Sequence, residues 1–286
     1  MIEFVLILVA MIGSLISGVI DLKTTEIPDQ IPYAMMVIGI LGNAINSMLV
    51  GSYWPVLMSF IVGLGFLGVG FLFYYLGQWG GGDAKLLSGV GFLLPTLSVK
   101  YSAKLLLPFP LAFFFNLFLV GALYMIGYAL VLSFINRKIW QVFFHDIKAN
   151  AKMLFILNAL ITVGLLLFGL IVLRNFISMS LIQMIRAEIV IVLAIFGLFL
   201  IWRFTKTVED LGFKKKIPTS KLREGDILLE SKLWEGLTSE QVKKVKSSNK
   251  KHVWIKEGVR FGLAFPLALL FTLFVGDGII LILGLI

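Results

Sequence analysis

Long apolar runs separated by short polar segments dominate the pattern of the chain. A helix needs about 20 apolar residues to cross a bilayer. Eight runs reach or approach that length, at residues 2–20, 31–50, 55–76, 86–99, 111–135, 153–173, 185–202 and 261–286. The fourth run is the shortest, and the last contains one charged residue, Asp277. The pattern predicts an all-α polytopic membrane protein with about eight transmembrane helices.

One long polar segment precedes the last apolar run. It begins with a basic run at 214–216, and a turn at 224–226 is followed by a predicted strand at 227–229. A capping box at 238–241 predicts a short helix, and residues 253–255 predict a second strand. These signals predict a small cytoplasmic α+β insertion before the last helix. We expect three parts, namely membrane-embedded catalytic helices (1–204), a small basic cytoplasmic domain (205–257) and a last transmembrane helix (258–286).

The distribution of basic residues predicts the orientation of the chain. Lys and Arg collect in the cytoplasmic loops of membrane proteins. With eight spans and both termini outside, 21 of the 25 Lys and Arg residues fall on the cytoplasmic side. Omitting the fourth span would move the basic residues of 136–152 and 203–260 to the outside. The charges therefore favour eight spans in the cell membrane, with the loops at 21–29 and 80–85 facing the cytoplasm.

Composition excludes an ordinary soluble enzyme. Apolar residues make up 59% of the chain and charged residues 14%, against about 45–50% and about 25% in soluble domains. The net charge of +9 is explained by orientation, so we expect the lipid bilayer and no nucleic acid as a partner. The basic insertion is expected to lie against anionic headgroups. Without cysteine, and with only His145 and His252, the chain predicts no metal site and no cofactor.

Two predicted cytoplasmic loops carry the candidate chemistry. The first runs from Asp21 to Asp29, and the second reads Gly80-Gly81-Gly82-Asp83-Ala84-Lys85. Alone, Asp21 beside Lys23 is explained as an interfacial ion pair, and Asp83 as a helix N-cap. Three consecutive glycines are typical of a sharp turn or a close approach of backbones. A carboxylate on such a turn beside the bilayer is costly, which favours a functional role.

Two carboxylates on one membrane face supply a known chemistry. Like charges about 3 Å apart cannot both ionise, so such a pair shares one proton. The ionised member activates water, and the protonated member polarises a scissile carbonyl. Such a pair requires no serine, cysteine or metal.

The two loops resemble motifs of one enzyme family. Gly80–Asp83 resembles the GxGD motif of membrane aspartyl proteases, and Asp21 with Ile27-Pro28 resembles the first-aspartate motif of type IV prepilin peptidases, including archaeal preflagellin peptidases. The segment 255–268 resembles the motif before the last helix in the archaeal branch, although it departs from the family's proline pattern, and Pro266 is assigned no role. The resemblance implies that Asp21 and Asp83 are the catalytic pair. It also implies an active-site loop of Gly80, Gly81, Gly82 and Lys85, with Lys23, Ile27 and Pro28 as structural residues near the site.

The resemblance also implies a substrate. It would be the short basic leader of a prepilin-like or preflagellin precursor, cut at the cytoplasmic face. Peptidase activity alone is expected, because the chain lacks the cysteine-rich loop of the bacterial enzymes that also methylate.

Two alternatives remain open, namely a proton-coupled transporter that uses the acidic residues as a relay and a non-catalytic assembly protein. A transporter favours a midplane site on repeated, broken helices, whereas both aspartates fall at predicted helix ends.

Three other charged residues allow two interpretations each. Lys85 would either adjust a carboxylate or contact substrate, or it would be an ordinary interfacial cation. Glu26 and Asp29 would either attract a basic leader or be solvated loop residues, with Asp29 capping the second helix.

Overall fold

A computed structural model describes residues 1–98, 105–168, 181–231, 236–248, 250–256 and 260–284. Their helices are α1 (Ile2–Thr24), α2 (Gln30–Val50), α3 (Trp54–Tyr75), α4 (Gly81–Leu93), α5 (Phe109–Ile135), α6 (Lys138–Ala149), α7 (Ala151–Phe168), α8 (Leu181–Val208), α9 (Ser239–Lys246), α10 (Ala264–Phe274) and α11 (Gly278–Gly284). The strands are β1 (Lys214–Pro218), β2 (Ile227–Leu228) and β3 (His252–Lys256). The chain divides into two compact units, one of residues 1–127 with 213–286 and one of residues 128–212.

The predicted polytopic helical fold with a small sheet insertion is confirmed. Within the described residues, six helices are long and apolar enough to cross a membrane, namely α1, α2, α3, α5, α7 and α8. The predicted fourth span is a shorter helix that begins at Gly81 rather than Leu86 and ends at Leu93. The last apolar run is two short helices rather than one, because the chain breaks between Phe274 and Gly278.

Asp277 lies at that break, and it explains why the last run is interrupted. Its side chain is buried, and Oδ2 accepts hydrogen bonds from the backbone N–H groups of Leu106 and Leu107. Asp277 is therefore a buried polar group with backbone partners. A buried carboxylate requires such partners.

Helix α4 is short because it is enclosed by other helices of the first unit. Every residue from Leu86 to Leu93 is buried. Glycines on its neighbours allow backbones to approach: a Cβ on Gly39 of α2 would lie 2.6 Å from the Phe92 carbonyl carbon, and one on Gly70 of α3 would lie 2.7 Å from Ala84 Cα. This packing holds the first turn of α4, which carries Asp83, in a fixed position.

The insertion folds as a three-stranded antiparallel sheet in the order β1-β3-β2. Both predicted strands and the predicted helix are present, and the Thr238 capping box is confirmed by its reciprocal bonds with Gln241. Strand β1 was not predicted, because its lysines hide the alternation that marks a half-buried strand. The insertion has its own small core of Leu222, Val242, Val253 and Ile255.

The second unit contains α6, α7 and α8. Helix α6 lies within the basic segment 136–152, between two predicted spans, and its Trp140 packs against Phe204 with ring centroids 5.2 Å apart. Asp146 of α6 accepts hydrogen bonds from Arg203, and this contact lowers the pKa of the Asp146 carboxyl. The three-part domain division stays a prediction.

Candidate active site

Asp21 and Asp83 line a single cavity of about 640 Å³ in the first unit. Helix α1 carries Asp21 in its last turn, and α4 carries Asp83 in its first turn. Ligand sites in proteins usually measure about 300–1,000 Å³. The cavity is therefore large enough for a short stretch of extended peptide.

Asp21 is held by a segment far away in sequence. Its side chain is buried, and Oδ2 accepts a hydrogen bond of 2.8 Å from the Gly262 N–H. A Cβ on Gly262 would lie 3.0 Å from both Asp21 Cβ and Oδ2, so the missing side chain permits the contact. Arg260 lines the same cavity. The sequence places Asp21 at the end of the first helix, but helix α1 continues to Thr24.

Asp83 is buried at the third position of α4. Its Oδ2 accepts a hydrogen bond of 3.1 Å from the N–H of Gly80, the N-cap residue. Asp83 is therefore not the N-cap residue. One of its carboxylate oxygens nevertheless accepts a backbone N–H at the start of the helix, as the cap interpretation expects. The negative charge of Asp21 also acts on Asp83. The two carboxylates are thus both buried in the wall of one cavity, where their charges interact.

The glycine loop contacts the first motif loop directly. A Cβ on Gly82 would lie 2.8 Å from Ile27 Cβ and 3.4 Å from the Ile27 carbonyl oxygen. Real side-chain atoms do not approach so closely, so this position requires glycine. A Cβ on Gly81 would meet Tyr74 at an ordinary 3.8 Å. The contact between Gly82 and Ile27 explains why two motifs about 60 residues apart occupy one site.

Lys85 is engaged away from the cavity. Its Nζ binds both carboxylate oxygens of Asp29 at 2.7 Å and lies 5.5 Å from the centre of the Tyr33 ring. Lys23 and Glu26 are among the residues that line the cavity, whereas Lys85 and Asp29 are not. Asp29 occupies the N-cap position of α2 but forms no side-chain cap bond, so its predicted capping role is wrong.

The insertion contributes part of the cavity wall, which the sequence did not predict. Gly225, Asp226 and Ile227 line it, together with Ile255 and Lys256 of β3. Gly225 has φ 88°, and a Cβ there would lie 3.2 Å from Glu26 Oε1. The 224–226 turn signal was visible in the sequence, but nothing local showed that it packs on the first motif loop. Burial lowers the pKa of Lys256, whose Nζ donates to the Ser231 carbonyl.

The described part of the chain gathers no three His, Asp or Glu residues into a group that could hold a metal ion. The cavity contains two buried carboxylates, and each accepts a hydrogen bond from a backbone N–H group. Lys23, Glu26, Asp226, Lys256 and Arg260 add charge around them. This arrangement suits proton transfer to and from a bound molecule.

In comparison with known proteins, residues 8–126 match the model of the Type IV leader peptidase family. The resemblance seen in the two motifs is confirmed over this segment, which contains both aspartates. A preflagellin peptidase of Methanococcus voltae is 32% identical over 136 residues, 45% of this chain and 56% of that protein. A preflagellin peptidase of Methanocaldococcus jannaschii is 33% identical over 105 residues, 37% of this chain and 43% of that protein.

A more distant relative is a prepilin peptidase of Methanothermobacter thermautotrophicus, which is 23% identical over 146 residues, 48% of this chain and 38% of that protein. The chain thus matches only about half, or less, of the length of these relatives. The second unit, at residues 128–212, lies beyond the family match.

Proposed function

We propose that the chain is a membrane aspartyl endopeptidase that removes the short basic leader of prepilin-like or preflagellin precursors. The observation that carries this proposal is the burial of both Asp21 and Asp83 in the wall of one cavity. Both lie within the segment that matches the type IV leader peptidase family. The names of the relatives support precursors of pilins or flagellins as the substrate class.

The proposed reaction is hydrolysis by two carboxyl groups that share one proton. The ionised aspartate takes a proton from water, and the resulting hydroxide attacks the scissile carbonyl carbon. The protonated aspartate gives its proton to the carbonyl oxygen, which forms a tetrahedral diol. When the C–N bond breaks, the first aspartate gives its proton to the leaving nitrogen and the second recovers a proton from the diol. Both groups then return to their starting states.

Two acidic residues near the catalytic pair are available to bind the basic residues of a leader. Glu26 lines the cavity, and Asp226 of the insertion lines it from another segment. Asp29 already binds Lys85, so it is the weaker candidate for attracting a leader. Lys23, Lys256 and Arg260 lie on the same cavity wall, so its charge is mixed and favours some orientations of a charged peptide over others.

The test is cleavage of a candidate precursor by the full chain in lipid vesicles, with the cut site mapped by mass spectrometry. We expect a single cut between the basic leader and the apolar helix, and no loss of rate with EDTA. If EDTA abolished cleavage and added metal ions restored it, the two-aspartate mechanism would be contradicted. Proton movement across the vesicle membrane without any cleavage would favour the transporter alternative instead.

The proposed membrane face has a separate test. Cysteines introduced at Ser52, between α2 and α3, and at exposed Ser248, after α9, are unique in this cysteine-free chain. We expect a membrane-impermeant thiol reagent on intact cells to label S52C but not S248C, and to label S248C after the membrane is opened. Labelling of both from one side would contradict a cytoplasmic site reached through eight spans.

A further inference from the structure

An apolar groove of about 520 Å³ runs along α5 and α10 in the first unit. Leu123 and Tyr124 of α5 line it from one side, and Leu267, Leu270 and Phe274 of α10 line it from the other. All of its lining side chains are apolar apart from the Tyr124 hydroxyl. Most of the leucine and phenylalanine side chains named here are exposed, so the groove is open along its length. We call it the α5–α10 groove.

Buried polar bonds fix the two helices beside one end of the groove. The side-chain amide of Asn116, on α5, donates to the Thr272 hydroxyl at 2.9 Å and to the Gly276 carbonyl oxygen at 2.8 Å. Its amide oxygen accepts a bond of 2.9 Å from the Gly278 N–H. Among apolar helices, such bonds meet no competition from water. The groove is therefore a preformed concave surface rather than a gap between loosely packed helices.

The other end of the groove adjoins the catalytic cavity. Tyr124 lines the groove, and the next residue, Met125, lines the cavity. The Tyr124 hydroxyl donates at 2.8 Å to the carbonyl oxygen of Arg260, which also lines the cavity. Phe261 completes this boundary, because a Cβ on Gly121 of α5 would lie 2.7 Å from its Cζ. A chain that leaves the cavity along α5 therefore meets the groove.

We propose that the α5–α10 groove docks the apolar helix that follows the cut site of the precursor. This inference rests on the proposed function, in which the leader is cut just before an apolar helix. Because α5 is long and apolar enough to cross a membrane, the groove lies where such a helix would run. Helices in lipid associate by close packing, and a concave surface between two fixed helices contacts more of a third helix than a convex one does.

Docking of the helix places the cut site beside the catalytic pair. Binding energy that arises far from the scissile bond then holds the leader in the cavity, and the local concentration of the cut site rises. The groove should therefore matter for substrates that carry an apolar helix and not for short peptides that lack one. A change that damaged the catalytic pair would slow both kinds of substrate alike.

The first test compares two synthetic peptides as substrates of the full chain in lipid vesicles. Both carry the same basic leader and cut site, followed either by an apolar helix of about 20 residues or by a short polar tail. Leu270→Trp fills the groove, so we expect the apparent KM for the helix-bearing peptide to rise about tenfold at little-changed kcat. Cleavage of the short peptide should stay the same. Leu64→Trp is the matched control, because Leu64 is an exposed leucine of α3 that lines neither the cavity nor the groove.

A second test measures the contact itself, because an introduced cysteine is unique in this cysteine-free chain. Single cysteines are placed in turn along the first turns of the substrate helix, and disulfide formation with Leu270→Cys is followed under mild oxidation in vesicles. We expect disulfides from some of these positions with Leu270→Cys and none with Leu64→Cys. This measurement stands on its own if Leu270→Trp does not fold.

An unchanged KM for the helix-bearing peptide in folded Leu270→Trp overturns the inference. Absence of any disulfide with Leu270→Cys also overturns it, and the groove would then hold lipid chains alone. Equal losses on both peptides in Leu270→Trp overturn it as well, because the groove would then act on the catalytic pair. Failure of the proposed function looks different, since wild type would cleave neither peptide while the disulfides would still report docking.

Discussion

Asp21→Asn and Asp83→Asn are each expected to abolish precursor cleavage, with a loss of about 100-fold to 10,000-fold in kcat/KM. The amide retains an oxygen that can accept the Gly262 or Gly80 N–H bond, so the fold should survive. It can neither accept a proton from water nor donate one as an acid of suitable strength. The double variant should be no worse than either single variant, because members of one catalytic unit are not additive.

Asp29→Asn is the matched control for this pair. It removes the same negative charge from the first motif loop, but Asp29 is half exposed, binds Lys85 and does not line the cavity. We expect it to retain most of the activity, measured per unit of folded protein in the membrane. Substantial cleavage by either single dyad variant would contradict a shared-proton pair. Equal loss in Asp29→Asn would show that general loop charge, rather than the pair, controls the rate.

The long helices were predictable because crossing a membrane imposes a simple rule on length and polarity. Helices α1, α2 and α3 follow that rule within a few residues. The rule fails for α4, which is buried by neighbouring helices and so need not match the bilayer. It also fails for the last run, where Asp277 is satisfied by a remote backbone and the apolar pattern gives no sign of that partner.

The candidate pair was predictable because each aspartate sits in a local motif. Its surroundings were not, since they come from contacts distant in sequence. The bond from Gly262 to Asp21 joins residues 241 positions apart, and no local pattern marks either end as a partner of the other. In the insertion, the predicted helix and two predicted strands are present, whereas strand β1 was not predicted. Its contribution to the cavity depends on tertiary packing of Gly225 near Glu26, which periodicity does not encode.

Gly82→Val is expected to reduce cleavage by about 100-fold, because a shift of about 1 Å in a catalytic group can cost that much. The first atom of the new side chain would lie 2.8 Å from Ile27 Cβ, so the glycine loop and the first motif loop must separate. Asp83 follows Gly82 directly and would move away from Asp21. Activity should be measured per unit of folded protein, with insertion and thermal stability checked in parallel.

Alanine at the two neighbouring glycines separates this contact from a general effect on the loop. A Cβ at Gly82 collides with Ile27, whereas a Cβ at Gly81 meets Tyr74 at an ordinary 3.8 Å. Both substitutions restrict the unfolded backbone similarly, so a difference between them reports the collision. We expect Gly82→Ala to lose far more activity than Gly81→Ala. Equal activities would show that the approach to Ile27 is incidental. Wild-type turnover by Gly82→Val would show that the position of Asp83 does not depend on contact with the first motif loop.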